Sequence, residues 1–205
     1  MFTNRFKEGY CAALHPKPVW PMQMHRINAI YGTMARAIRK ASDGDKESLK
    51  RQLLASAHDF GASCRQITKC QPEFDEWFGR QAEALQHVPF RWHDRRDDER
   101  SHITFGLTQK FLNLALKDWW CMSAEAEELD TSVLHAPFDR RMRDRLWALT
   151  RFYLPSLRQG GCYVYLSCDD YAGYQQHLLS AELRDVLKIT QAMTRIETEQ
   201  MIWGS

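Results

Sequence analysis

A chain of 205 residues is long enough to bury a sizeable core without disulfide or metal staples. Hydrophobic residues at 44% and aromatics at 12% exclude a disordered chain, and no apolar run approaches the roughly 18 residues of a membrane span. The net charge of +2 is small but unevenly spread. Met1 to Ala41 carries Arg5, Lys7, Lys17, Arg26, Arg36, Arg39 and Lys40 against Glu8 alone, and Arg140, Arg141, Arg143 and Arg145 form a second cluster. Such segregation suits a polyanionic partner, although a solvated helix face gives the same pattern.

The apolar spacing is mostly helical and predicts an all-α fold in one domain. Trp20 to Ala41 reads as one helix, with Met24, Ile27, Ile30, Tyr31, Met34 and Ile38 on one side. Ser42 to Asp45 reads as a turn, and Lys46 to about Cys70 as a second helix interrupted near Gly61. Pro72 opens a third helix with Phe74, Trp77, Phe78 and Leu85 as its stripe. Val88 to Ser101 is charged and irregular. Phe105 to Met122 is the most apolar helix, with Thr104 as its expected N-cap. Ser123 to Pro137 is a connector, and Phe138 to Leu154 a helix stopped by Pro155. Gly160-Gly161 turns the chain, and Cys162 to Leu166 has strand character. Asp169 or Asp170 caps a helix to about Lys188, and a last helix runs to Trp203.

Two features carry chemistry. Lys110 falls in the first or second turn of the Phe105 helix, seven residues before Lys117 on nearly the same face. Burial, neighbouring cations and a helix N-terminus each favour the neutral, nucleophilic amine. Asp139 follows an extended Ala136-Pro137 step and opens an Arg-rich helix, where its carboxylate caps the backbone and can also face a pocket to stabilise positive charge. For both residues a structural role, a surface lysine and an N-cap, fits the spacing as well.

Gly106-x-x-x-Lys110 on a buried helix, followed by Pro137-x-Asp139, resembles the helix-hairpin-helix DNA glycosylase superfamily. It is nearest to the archaeal-type 8-oxoguanine glycosylases and their bacterial relatives. Gln109, Lys110, Lys117, Pro137 and Asp139 carry the likeness, with Ser167 to Tyr171, Tyr174-Gln175, Glu199 and Trp203 in the tail. It covers roughly residues 100–205; the first hundred match only as generic helices. Thr108 stands where the second hairpin glycine belongs, so the hairpin is degenerate.

The resemblance implies a two-lobed helical fold that flips a base out of double-stranded DNA. It assigns Lys110 as the amine that attacks the sugar and Asp139 as its carboxylate partner. Gly106, Thr108, Gln109, Arg140, Arg141 and Arg143 are its DNA contacts. Trp92, Trp119, Trp120, Tyr163, Tyr165, Tyr171 and Trp203 are candidates to stack on bases, although aromatics are more often core. The substrate is either an oxidised purine, which makes the activity repair, or a hypermodified base of phage DNA, which makes it antiviral defence. No cofactor or metal is expected, because Cys64-x5-Cys70 and Cys162-x5-Cys168 lack the spacing of zinc sites. A monomer is expected. The six cysteines read as reduced thiols, and the mixed opening Phe2 to Lys7 lacks a cleavage pattern, so the expected compartment is the cytoplasm.

Two rival classes fit the same composition. Arg96 to His102 matches the Arg-x4–6-His motif of HEPN ribonucleases, as does Arg51 to His58. A non-enzymatic helical binding module is the other.

Overall fold

Fourteen of the eighteen residues of the helix Phe105–Met122 are buried, which makes it the axis around which the rest of the chain packs. The computed structural model describes residues 21–204 apart from 36, 95–96 and 158–162. Within these, α1 spans Met24–Gly32, α2 Asp43–Ile67 and α3 Gln71–His87. A hairpin of β1 (Pro89–His93) and β2 (Glu99–His102) precedes the axial helix α4 (Phe105–Met122). There follow α5 (Glu125–Glu128), α6 (Arg140–Thr150), α7 (Cys168–His177), α8 (Ala181–Leu187) and α9 (Arg195–Gly204). Short 3₁₀ turns stand at Thr131–Val133, Pro155–Leu157 and Tyr163–Tyr165. The described chain is thus mostly helical, with one small two-stranded antiparallel sheet. Among the described residues no helix is long and apolar enough to cross a membrane.

The axial helix touches α1, α2, α3, α5 and the Tyr163 turn. Phe111, Leu112, Leu116, Trp119 and Trp120 supply its apolar surface. Trp119 meets Phe60 of α2 edge to face at 4.8 Å, and Phe60 meets Trp77 of α3 at 5.0 Å. Aromatic contacts therefore bind three helices into one core.

Several elements differ from expectation for identifiable reasons. The first helix ends at Gly32 rather than running to Ala41, because the Arg39 backbone pairs instead with His93 of β1. Asp43 to Asp45 is no turn but the first turn of α2, with Ser42 Oγ accepting from Asp45 N–H at 3.1 Å. Gly61 lies inside that helix without interrupting it. Val88 to Ser101 contains the hairpin: Phe90 and Trp92 are fully buried at alternate positions, and the Trp92 indole donates to the His102 carbonyl at 2.9 Å. Helix α6 stops at Thr150 because Arg151 takes a left-handed conformation with φ 57°. Tyr163–Tyr165 forms a 3₁₀ turn in place of a strand. Cys162 and the Gly160-Gly161 turn lie outside the described residues. Ser167 caps α7 in place of Asp169 or Asp170, and Ser180 caps a separate α8, so the expected helix to Lys188 is two. Thr104 starts α4 in extended conformation, but its hydroxyl makes no capping bond.

Gly106 marks the tightest approach. A β-carbon there would stand 1.8 Å from the Tyr163 carbonyl oxygen, so only glycine lets the start of α4 rest on the 3₁₀ turn. Gly106→Ala is expected to destabilise the protein by about 3 kcal/mol, as overpacking against backbone does. Urea denaturation followed by circular dichroism checks this.

Candidate active site

The axial helix is apolar enough to be buried on every side, yet besides Thr108 it carries the charged and amide side chains of Gln109, Lys110, Asn113, Lys117 and Asp118 into the interior. Each finds a partner from a different part of the chain, as buried polar groups must. Asp118 accepts two bonds from Arg26 of α1, with both side chains nearly sealed from solvent. Lys117 Nζ meets Glu199 of α9 at 2.6 Å, with 3% and 2% side-chain exposure. Asn113 donates to the Tyr171 hydroxyl of α7 at 2.6 Å.

Gln109 and Lys110 hold the start of α6. The extended segment Leu134 to Asp139 has no strand partner, and three side chains satisfy its backbone. Gln109 accepts from Phe138 N–H at 3.1 Å and donates to the Phe138 carbonyl at 2.8 Å. Gln175 treats Ala136 the same way, accepting at 3.0 Å and donating at 2.7 Å. The Tyr174 hydroxyl donates to the Pro137 carbonyl at 3.0 Å. Two amide side chains thus act as surrogate strands that fix where Asp139 emerges.

Asp139 divides its carboxylate. Oδ1 accepts from Met142 N–H at 3.0 Å and caps α6. Oδ2 faces Lys110 Nζ at 3.3 Å. The pair bridges elements 29 residues apart, with side-chain exposures of 11% and 18%. The Tyr163 ring covers the amine, its centroid 4.8 Å from Nζ. Both groups line a cavity of about 500 Å³, bounded also by Thr33 and Ala37 and by Arg140, Arg141, Asp144 and Arg145. The contrast with Lys117 is informative. One lysine is sealed with its glutamate; the other, two turns away on the same helix, meets its aspartate at the wall of an open cavity.

Arg140, Arg141 and Arg145 form the rim, and Arg143 lines an adjoining cleft instead. Arg140 and Arg143 pair with Asp144 at 3.5 and 2.6 Å, with Arg140 largely exposed. The Arg141 guanidinium lies 4.2 Å from the Trp203 ring centroid, and Arg145 donates to the Ile202 carbonyl. These contacts tie the start of α6 to α9.

The expected DNA contacts Gly106, Thr108 and Gln109 are placed otherwise. All three are buried: Gly106 rests on the Tyr163 carbonyl, Gln109 straps Phe138, and the Thr108 hydroxyl makes no hydrogen bond. What precedes α4 is a β-hairpin, not a helix, so no helical hairpin presents these residues outward. Of the candidate stacking aromatics, Trp92, Trp119, Trp120 and Tyr171 are core residues. Tyr165 donates to Asp94 at 2.6 Å, and Tyr163 faces the cavity. Sequence reasoning left out the straps as working groups. The paired amide-to-backbone bonds of Gln109 and Gln175 have no motif of their own.

His135, beside the straps, packs edge-on against Phe74, Phe78 and Tyr171 and contacts Asp75 at 3.0 Å. Burial pushes its imidazole below the ordinary value, against the opposing pull of Asp75. Burial likewise holds the Tyr171 and Tyr174 phenols well above theirs; Tyr174 donates to Pro137, and Tyr171 accepts from Asn113. Among the described residues no cluster of three or more His, Cys, Asp or Glu side chains is placed to hold a metal ion.

Comparison of the chain with models of known protein families, with curated proteins and with solved structures finds no match. The site is therefore read from its own geometry.

Gln109→Leu leaves the Phe138 N–H and carbonyl unpaired in the core and is expected to cost about 2–4 kcal/mol of stability. A residue whose role is to touch DNA has no such effect, so chemical denaturation without DNA distinguishes the two assignments.

Proposed function

We propose that the protein is a DNA glycosylase with associated abasic-site lyase activity, in which Lys110 is the nucleophile and Asp139 its partner. The observation that carries this reading is the 3.3 Å approach of Lys110 Nζ to Asp139 Oδ2 at the wall of an arginine-rimmed cavity. A primary amine, a carboxylate and a cationic rim are the groups that attack on a deoxyribose requires, and no metal enters the chemistry.

The reaction runs as follows. Arg140, Arg141 and Arg143 hold backbone phosphates while the target nucleotide leaves the stack. As the glycosidic bond lengthens, the Asp139 carboxylate stabilises positive charge at the sugar C1′. Lys110 passes one proton to Asp139 and forms the Nζ–C1′ bond. The base departs with the bonding electron pair and takes that proton, which restores the Asp139 carboxylate, and Asp139 then relays a proton from the new Nζ ammonium to the ring oxygen. Ring opening gives an iminium between Nζ and C1′. Loss of a C2′ proton then expels the 3′ phosphate and nicks the strand. Asp139 serves two ends at once, since one oxygen is committed to the helix cap and the other to the amine.

The substrate class is a base that leaves the duplex cheaply, either an oxidised purine of the 8-oxoguanine kind or a hypermodified pyrimidine of phage DNA. The glycosylase-like two-lobed arrangement, the DNA partner and the monomeric state belong to this same proposal. His102 of the Arg96 to His102 motif is exposed on β2, Arg96 lies outside the described residues, and Arg51 and His58 both fall on α2. Nothing in these positions favours a ribonuclease over the Lys110 site.

Borohydride reduces the iminium to a stable amine, so the wild-type protein is expected to form a covalent adduct with a duplex bearing the excised base. The panel spans oxidised purines and modified phage DNA. Lys110→Ala is expected to abolish the adduct. Asp139→Asn, which still caps α6, is expected to slow base release about 100-fold or more. Alkali-labile sites formed at the wild-type rate by both variants would overturn the proposal.

A further inference from the structure

A second cleft adjoins the first along α6. Phe138, Trp147, Phe152, Tyr153, Leu154 and Leu157 line it, with a volume of about 430 Å³, and Asp144 belongs to the walls of both cavities. Trp147 and Tyr153 are about half exposed, at 48% and 49%, among the few large hydrophobic side chains the described surface leaves open. The wall is pre-formed. Phe152 stacks on His177 with centroids 4.0 Å apart and rings 5° from parallel, and His177 Nε2 meets the Thr150 hydroxyl at 2.9 Å.

The cleft is apolar, yet its margins are cationic. Arg140, Asp144, Trp147 and Arg151 recur at helical spacing, so they lie on one face of α6 and its cap. Arg143 pairs with Asp144 at 2.6 Å, and the Arg151 guanidinium lies 5.6 Å from the Trp147 ring centroid. Exposed aromatic faces between arginines are how proteins take up single-stranded nucleic acid, the rings stacking on bases and the cations following the backbone. The open apolar surface amounts to a few side chains, far short of the roughly 800 Å² per partner that a stable protein interface buries. From Asp139 to Trp147 the helix rises about 12 Å, well beyond the roughly 3.4 Å rise per nucleotide of a stacked strand, so a neighbouring base reaches Trp147 only after leaving the stack.

We infer that this cleft receives an unpaired nucleobase adjacent to the attacked nucleotide, stacked on Trp147 and Tyr153. The inference rests on the proposed glycosylase reading, because that reading puts the attacked sugar at Lys110. It adds a second base-holding subsite that keeps the strand open while the chemistry proceeds.

The test uses duplexes carrying a tetrahydrofuran abasic analogue with 5-iodouracil on its 5′ or its 3′ side. Irradiation couples the iodouracil to a stacked aromatic ring, and peptide mapping locates the bond. The crosslink is expected at Trp147 or Tyr153. Trp147→Ala is expected to weaken binding of the same duplexes about tenfold, with Trp147→Phe restoring most of it. Crosslinks at neither residue overturn the inference, as does an alanine variant that binds as tightly as the parent. If that variant instead shifts only the protein's sedimentation, the cleft belongs to a second copy of the chain and the inference falls. Borohydride trapping in parallel separates the two claims. A crosslink at Trp147 without a trapped adduct on any substrate leaves the subsite standing and removes the lyase, and the converse result removes only the subsite.

Discussion

A helix buried on all sides must find partners for the charged and amide groups it takes inside, and that requirement organises this molecule. Helix α4 carries six polar or charged side chains into the interior, and five of them find partners on other elements. Asp118 recruits α1, Lys117 recruits α9, Asn113 recruits α7, Gln109 recruits the strap before α6, and Lys110 recruits the cap of α6. An apolar helix of the same shape would pack as densely. It would not specify which element lies against which turn, because apolar contact is non-directional whereas an unpaired buried charge is costly. Polar residues on α4 therefore set the address of elements far apart in sequence.

The Lys110–Asp139 pair is the member of this set that opens outward. Its geometry depends on the others. Gln109 and Gln175 fix the segment that presents Asp139, Tyr174 anchors Pro137 within it, and Gly106 lets the Tyr163 turn close over the amine. These supports are rigid, so they fix the separation of the amine and the carboxylate. Arg140, Arg141 and Arg145 then stand at the cavity on the helix that the aspartate caps, while Arg143 lines the neighbouring cleft.

Much of this was legible in the sequence, and the gaps have physical causes. Phe105–Met122 was recognisable end to end because its apolar positions and flanking polar residues are unambiguous. Asp139 as an N-cap followed from the Ala-Pro step before it and the helix after it. The juxtaposition of Lys110 with Asp139 was legible only through a resemblance, since nothing in a spacing of 29 residues brings two side chains together. The hairpin escaped notice because charged residues mask the alternation of Phe90 and Trp92. Gly106 and Gln109 were read outward, toward a phosphate backbone, when both face inward. A glycine needed for close approach carries the same letter whether the approaching group is DNA or the carbonyl of Tyr163. Nothing in the sequence sets Trp147 apart from the other apolar residues of its helix; its exposure does.

The central claim is that one amine on the axial helix is the nucleophile. The most direct measurement is to digest the borohydride-reduced protein–DNA adduct and locate the modified residue by mass spectrometry. The account requires the sugar remnant on the Lys110 side chain. Its attachment to Lys117, to another lysine or to the terminal amine of the chain would contradict the account, however efficient the trapping.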